Sequence, residues 1–202
     1  MYPFLESIRL ENGQLHFMQG HEARFTRTQQ DNWGRVIYKD VEKLIMSAAD
    51  LPTDNGKYKC RILYSPDHIS IQFLPYTPRV LSSLQPVFND IIDYRYKSTD
   101  RRFFEKLMTG TAHNTEILIF KQGLLTDSSF SNLALREGND WYTPKTPLLN
   151  GVHRSHLLNL GILKERDIAF EALQQFSAIR LINVMMDWED TWEIDMSGVL
   201  KA

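Results

Sequence analysis

Lys97 closes the run "QPVFNDIIDYRYK" and stands among Arg95, Arg101 and Arg102. A lysine at the end of an apolar strand can project into a cleft, where desolvation lowers its pKa enough for the amine to attack a carbonyl carbon. An ordinary surface lysine in a basic cluster meets the same description. Thirty positions on, Asp127 ends "LLTD" and is followed by Ser128, Ser129, Ser131 and Asn132. A carboxylate there can hold a heterocyclic nitrogen in its protonated form, or it can open a turn with its side chain on local backbone. In "LLNGVHRSHLL", Gly151 marks a loop-to-helix junction with Val152, His153 and Arg154 as the first helical residues. Free N–H groups and the helix dipole suit such an end to a phosphate; basic residues in the first turn are unfavourable unless an anion sits there. Arg24 and His21 share one face of an earlier helix, either as a phosphate clamp or as solvent-facing residues.

Other candidates are weaker. His153 and His156 lie one turn apart without an acidic or cysteine partner at ligand spacing, so no metal site is expected. Cys60 lies mid-strand and reads as a small buried hydrophobe. The acidic, aromatic "DWEDTWEID" reads as surface strand and tail, with Trp188 and Trp192 suited to a subunit contact.

The elements that must position these groups follow from periodicity. "FLESIRL" and "QLHFM" flank Asn12-Gly13, a strong hairpin signal. "HEARFTRTQQDNWG" is helical and stops at Gly34; "KDVEKLIMSAA" is a second helix with Val41, Leu44, Ile45 and Ala48 on one stripe. "KYKCRILYS" and "HISIQFLPY" form another hairpin, and the proline-bearing stretch from Pro75 to Pro86 is a linker. Beyond it, "QPVFNDIIDYRYK" is expected as one extended strand, "RRFFEKLMTG" as a helix, and "EILIF", "LLTD", "NLALR" and "WYTP" as short strands. "NGVHRSHLLNLG" is a short helix, and "FEALQQF" with "AIRLINVMM" reads as helix then buried strand. The fold class is α+β with mainly antiparallel strands in two lobes, a small domain over 1–80 and a larger one over 81–202 that carries Lys97.

Composition narrows the function classes. With 202 residues, 43% hydrophobic and 24% charged, the chain can bury a real core. A net charge of −2 gives no electrostatic case for nucleic acid or an anionic membrane. There is no signal-peptide pattern and no apolar run near the ~18 residues that span a bilayer. A single cysteine suits a reducing compartment, so a cytoplasmic protein is expected.

Taken together and in order, these segments resemble the fold-type IV pyridoxal-phosphate enzymes, the class IV aminotransferases, which include branched-chain and D-amino acid aminotransferases and aminodeoxychorismate lyases. "FLESIRLENGQLHFMQGHEARF" is similar to the family's opening hairpin and "HxxR" helix, which implies a phosphate-binding role for Arg24. "YRYKSTDRRFFEKL" resembles the Schiff-base segment and implies Lys97 as the cofactor lysine. "EILIFKQGLLTDSSFSNLALREGNDWYTP" resembles the pattern around the acid at the pyridine nitrogen, implying Asp127. "LLNGVHRSHLL" implies phosphate contacts at Val152 and His153, and "IRLINVMMDW" aligns Asn183 with a family asparagine. Two positions depart from the pattern: Asp127 replaces the usual glutamate and His153 the usual threonine. The resemblance implies a D-amino acid aminotransferase-like architecture, N-terminally shortened, and pyridoxal 5'-phosphate as cofactor. It also implies a small-molecule amino acid or aminochorismate substrate, and a homodimer. Transamination is the activity expected; a lyase releasing pyruvate and 4-aminobenzoate, and a non-catalytic cofactor-binding homologue, are the alternatives.

Overall fold

The computed structural model describes residues 2–200. It divides into two compact units: the chain up to Thr77 together with Tyr96–Asp100, and Pro78–Arg95 together with the chain from Arg101 onward. The segment bearing Lys97, expected within 81–202, therefore belongs to the first unit. Backbone pairing explains this: Leu5 N–H donates to the Lys97 carbonyl at 2.9 Å, and Phe4 bridges Ser98 antiparallel.

In the first unit, β1 (Phe4–Glu11) and β2 (Gln14–Leu15) form the expected hairpin. Asn12 and Gly13 sit between them at φ 52° and 73°, the two positive values that an Asn-Gly turn accommodates. Helix α1 (Met18–Trp33) ends at Gly34, whose φ of 68° lets its N–H reach the Gln30 carbonyl. A short α2 (Val41–Met46) follows, then β3 (Lys57–Tyr64) and β4 (Ile69–Pro75). The antiparallel sheet runs β2-β1-β3-β4. Its register places Ile8 against Cys60 and Glu6 against Ile62 on one face, where Phe25 of α1 and Val41 and Ile45 of α2 close the core. Burial pushes the Cys60 thiol up to about 12. Arg9 against Lys59 and Ser7 against Arg61 occupy the other face.

The second unit holds β5 (Ser83–Phe88), α3 (Arg102–Leu107), β6 (Thr115–Lys121), β7 (Leu124–Leu125), β8 (Asn132–Glu137) and β9 (Asp140–Pro144). Then come α4 (Val152–Asn159), β10 (Leu163–Arg166), β11 (Ala178–Ile182) and β12 (Trp192–Asp195). One sheet is ordered β5-β6-β7 and the other β10-β9-β8-β11-β12, with β5/β6 and β9/β10 parallel and the remaining pairs antiparallel. Leu84, Leu118, Phe120, Leu133, Leu135, Ile179 and Leu181 fill the main core.

Three sequence expectations change here. The strand expected through Lys97 stops at Phe88, because Asn89 and Asp93 accept nearby backbone N–H groups and compete with the ladder. "FEALQQ" is a 3-10 rather than an α-helix, and β10 forms where no strand was expected. Among the described residues, no helix is long and apolar enough to cross a membrane.

Candidate functional site

The predicted residues fall in both units, and each group has its own chemistry. In the first unit, α1 buries His21, Arg24, Phe25 and Thr28, the i, i+3, i+4, i+7 stripe of a core-facing helix. The polar members meet Glu6 of β1, which is fully buried. Arg24 donates Nε to Glu6 Oε1 at 2.8 Å and Nη2 to Oε2 at 2.6 Å; His21 Nδ1 lies 2.8 Å from the same Oε2. Burial by itself would raise the Glu6 pKa, but Arg24's charge and hydrogen bonds, helped by His21, hold it down at about 2. The carboxylate is thus ionised, and the 2.8 Å contact is an Nδ1–H donation from His21. His21 Nε2, also buried, has no hydrogen-bond partner. Burial lowers the His21 pKa, and the charges of Arg24 and Lys97 lower it further against the opposing pull of Glu6.

Arg24 consequently presents itself already oriented, with one edge of its guanidinium bound bidentately. Glu6 is the residue that the sequence reading missed. The signal was present: an acid at a core-facing register position, between Phe4 and Ile8, opposite a helix bearing His and Arg. Lys97 is half-buried, and its backbone is fixed on the edge of β1; Thr99 extends that anchorage by donating N–H to the Pro3 carbonyl at 3.0 Å.

In the second unit, the run from Thr126 to Asn132 is buried except at Phe130 and forms a tightly closed turn. Ser128 Oγ accepts the Ser131 N–H at 3.0 Å and pairs with Ser131 Oγ at 2.8 Å, so a hydroxyl does the work that glycine does in other turns. Ser129 N–H donates to buried Glu116 at 3.0 Å, and Arg101 Nη2 donates to the Ser129 carbonyl at 2.5 Å. Arg101 also lies 4.2 Å from the Phe104 ring centroid, so it is a structural clamp on this turn.

Asp127 is held at both oxygens by neutral donors: Asn132 Nδ2 at 2.6 Å and the Leu149 N–H at 2.9 Å. Burial raises its pKa to about 6; those hydrogen bonds and the charge of Arg154 offset only part of the effect. Asn132 also donates to the Leu149 carbonyl at 2.8 Å. A Cβ on Gly151 would come within 1.8 Å of Asn132 Oδ1, so only glycine lets the loop before α4 lie against this side chain. Asn132 therefore joins Asp127 to the start of α4.

That start has no side-chain cap, and Val152 and His153 are buried there. His153 Nδ1–H donates to the Asn183 carbonyl at 2.7 Å, while the Asn183 side chain accepts the Met185 N–H at 2.9 Å. Arg154 is bound to Thr143, the Pro144 carbonyl and Glu165, so its charge braces the fold. The residues fit pyridoxal phosphate on two observations. An uncapped, buried helix start offers backbone donors to a phosphate, and a buried acid stands tied to that same start. Among the described residues, no three His, Cys, Asp or Glu side chains are grouped to hold a metal ion.

Comparison with known proteins shows the family. Residues 4–189 match the Amino-transferase class IV family, so the chain belongs to that family of fold-type IV, pyridoxal-phosphate-dependent enzymes. An uncharacterized protein of Haemophilus influenzae is 35% identical over 185 residues, which is 92% of this chain and 98% of that protein. The crystal structure of a proposed 4-amino-4-deoxychorismate lyase from Haemophilus somnus 129PT is 36% identical, with a TM-score of 0.85 over 92% of this chain and 97% of its own. A hypothetical aminotransferase from Mycobacterium tuberculosis, in its PLP-bound form, shares the fold at 13% identity, with a TM-score of 0.78 over 95% of this chain and 80% of its own.

Proposed function

We propose that this protein uses pyridoxal phosphate, held covalently by Lys97, to transfer an amino group between an amino acid and a 2-keto acid. The observation that carries the reading is the Asp127–Asn132–Gly151 link, which ties a buried acid to a buried, uncapped helix start. When bound, the cofactor supplies an electron sink for the bond broken at the substrate's Cα. Lys97, anchored through its backbone to β1, moves the proton to and from that carbon. Asp127 holds the proton at the ring nitrogen, and its two hydrogen bonds fix where its oxygens point. The backbone N–H groups of Val152 and His153 bind the phosphate, Asn183 orients the His153 ring, and Arg24, aligned by Glu6, adds positive charge.

The purified protein is expected to show a visible absorption band that borohydride bleaches, and Lys97→Ala is expected to lose it. A reducible adduct that survives in Lys97→Ala overturns the lysine assignment. Protein that shows no spectral response to added pyridoxal phosphate overturns the cofactor reading and leaves a non-catalytic homologue. The 36% identical proposed lyase favours a second reading, release of pyruvate and 4-aminobenzoate from 4-amino-4-deoxychorismate. Pyruvate formed without a keto-acid acceptor supports that reading, whereas strict dependence on an acceptor supports transamination. Assembly as a homodimer belongs to the same proposal, and light scattering measures it.

A further inference from the structure

A turn is an unusual place for a phenylalanine, since turns select Gly, Pro, Asn, Asp and Ser. Phe130 nevertheless stands in the turn that follows Asp127, half-buried and packed against the main core. Its neighbours form a closed ring of contacts. The guanidinium carbon of Arg79 lies 5.0 Å from the Phe130 ring centroid. Trp192 of β12 meets the same ring edge-to-face at 5.6 Å, and its Nε1–H donates to the Arg79 carbonyl at 2.7 Å. Arg79 Nη1 donates to Glu116 Oε2 at 3.0 Å. Glu116 Oε1 in turn accepts the N–H groups of Ser129 and Ile117, each at 3.0 Å.

The charges make this ring more than packing. Glu116 of β6 is fully buried, whereas the side chain of Arg79, in the irregular stretch between β4 and β5, is 49% exposed. Among the described residues, Arg79 is the one cation paired with Glu116. A buried ion pair adds little net stability, but removing one partner strands the other's charge, so such a pair fixes a geometry better than it holds a fold. The geometry fixed here is that of one short stretch of backbone. Glu116 holds the Ser129 N–H, and Arg79 itself lies over Phe130. Asp127 stands two residues before Ser129, and Asn132, which donates to Asp127 Oδ1, two residues after Phe130.

We propose that Arg79 is a positioning residue for Asp127: through Glu116 and Phe130 it keeps the turn closed, so that the Asp127 carboxyl stays dry and fixed in direction. Its value to the reaction rests on the reading of Asp127 as the acid at the ring nitrogen. Without Arg79, Glu116 is a buried carboxylate without a cation, and movement or water at the turn relieves it. Either admits solvent to Asp127. The groups that face Asp127 are Asn132, the backbone of Leu148 and Leu149 and, from α4, Arg154. A change at Arg79 touches none of these, so it acts on the burial that raises the proton affinity of Asp127.

The test follows the Asp127 carboxyl by carbon NMR as the purified protein is titrated from acid to neutral pH, the signal being the one that Asp127→Asn removes. Arg79→Met keeps an apolar stem over Phe130 and should weaken the hold of Asp127 on its proton about tenfold. Arg79→Lys keeps a charge for Glu116 and should restore most of the wild-type midpoint. Phe130→Ala cuts the direct branch without stranding a charge; it should lower the midpoint by a smaller factor, and it keeps the test decisive if Arg79→Met does not fold. Circular dichroism verifies the fold of each variant. An unmoved midpoint in folded Arg79→Met or in Phe130→Ala, or an equal fall in Arg79→Lys, overturns the proposal and leaves Arg79 a brace on the fold. The visible band is read on the same samples. A protein without that band whose Asp127 midpoint follows Arg79 refutes the cofactor reading and retains this one, and a banded protein whose midpoint ignores Arg79 does the reverse.

Discussion

Glu6 in the first unit and Asp127 in the second are both sealed from solvent, yet they are pushed in opposite directions. Glu6 meets a bidentate guanidinium and falls to about 2, whereas Asp127 meets an amide and a backbone N–H and rises to about 6. The desolvation is comparable; the formal charge of the partner decides the outcome. One acid is a permanently ionised anchor. The other is poised near neutrality, where a weak change of surroundings can alter its protonation.

The largest expected effect comes from removing that charge. Arg24→Ala leaves Glu6 buried without its cation and should cost about 3–5 kcal/mol, read as a large fall in the urea midpoint. The cofactor affinity of any folded fraction should fall as well.

The two acids also impose opposite pH dependences. For Glu6, the folded pKa lies below the ordinary 4.5, so its stabilisation is present above that value and is lost as pH falls toward about 2. For Asp127, the folded pKa lies above the ordinary 3.8, so the native state holds the proton more tightly between that value and about 6. Stability from Asp127 is therefore full below 3.8 and is lost as pH rises through 6. Each window is worth about 3 kcal/mol at 1.36 kcal/mol per pKa unit. Denaturation at pH 7.5 and 5 separates them, because Glu6 has hardly begun to titrate at 5. His21, whose folded pKa is lowered, pulls the other way on this step, so the Asp127 contribution is read as a difference: wild-type protein should gain more stability, or lose less, than Asp127→Asn.

A smaller effect tests the link between Asp127 and α4. Gly151→Ala forces a methyl against Asn132, which should cost about 2 kcal/mol and weaken cofactor binding. Combining it with Asn132→Ala should give less than the sum of the single losses, the sign of a shared contact. The smallest effect is Ser128→Ala, which removes the hydroxyl that closes the turn after Asp127. It should cost about 1 kcal/mol and lower the acid's apparent pKa little.

What could be read from the chain follows the range of the forces involved. The Asn12-Gly13 hairpin, α1 with its Gly34 stop and α4 after Gly151 depend on local turn and cap chemistry, and they lie where the sequence places them. The strand expected through Lys97 failed because Asn89 and Asp93 offer local hydrogen bonds that an apolar pattern does not weigh. Asp127 was legible as a chemically suspicious acid, but Leu149 and Gly151 reach it only through the fold. Glu6 was hidden for a similar reason: its meaning depends on a helix that begins twelve residues later. Arg154 looked like a candidate for an anion and Arg101 like part of a surface cluster, and both proved to be braces, since a sequence shows charge but not the carbonyls it satisfies.

The sealed position of Cys60 has a practical side. Its thiol is fully buried and pushed up to about 12, so at neutral pH it is almost entirely unreactive toward thiol reagents. Because it is the chain's single cysteine, the wild-type protein supplies a nearly silent background for maleimide chemistry. A cysteine introduced on the outward face of β4, at Gln72 for instance, would be the one site to take up a fluorophore or spin label.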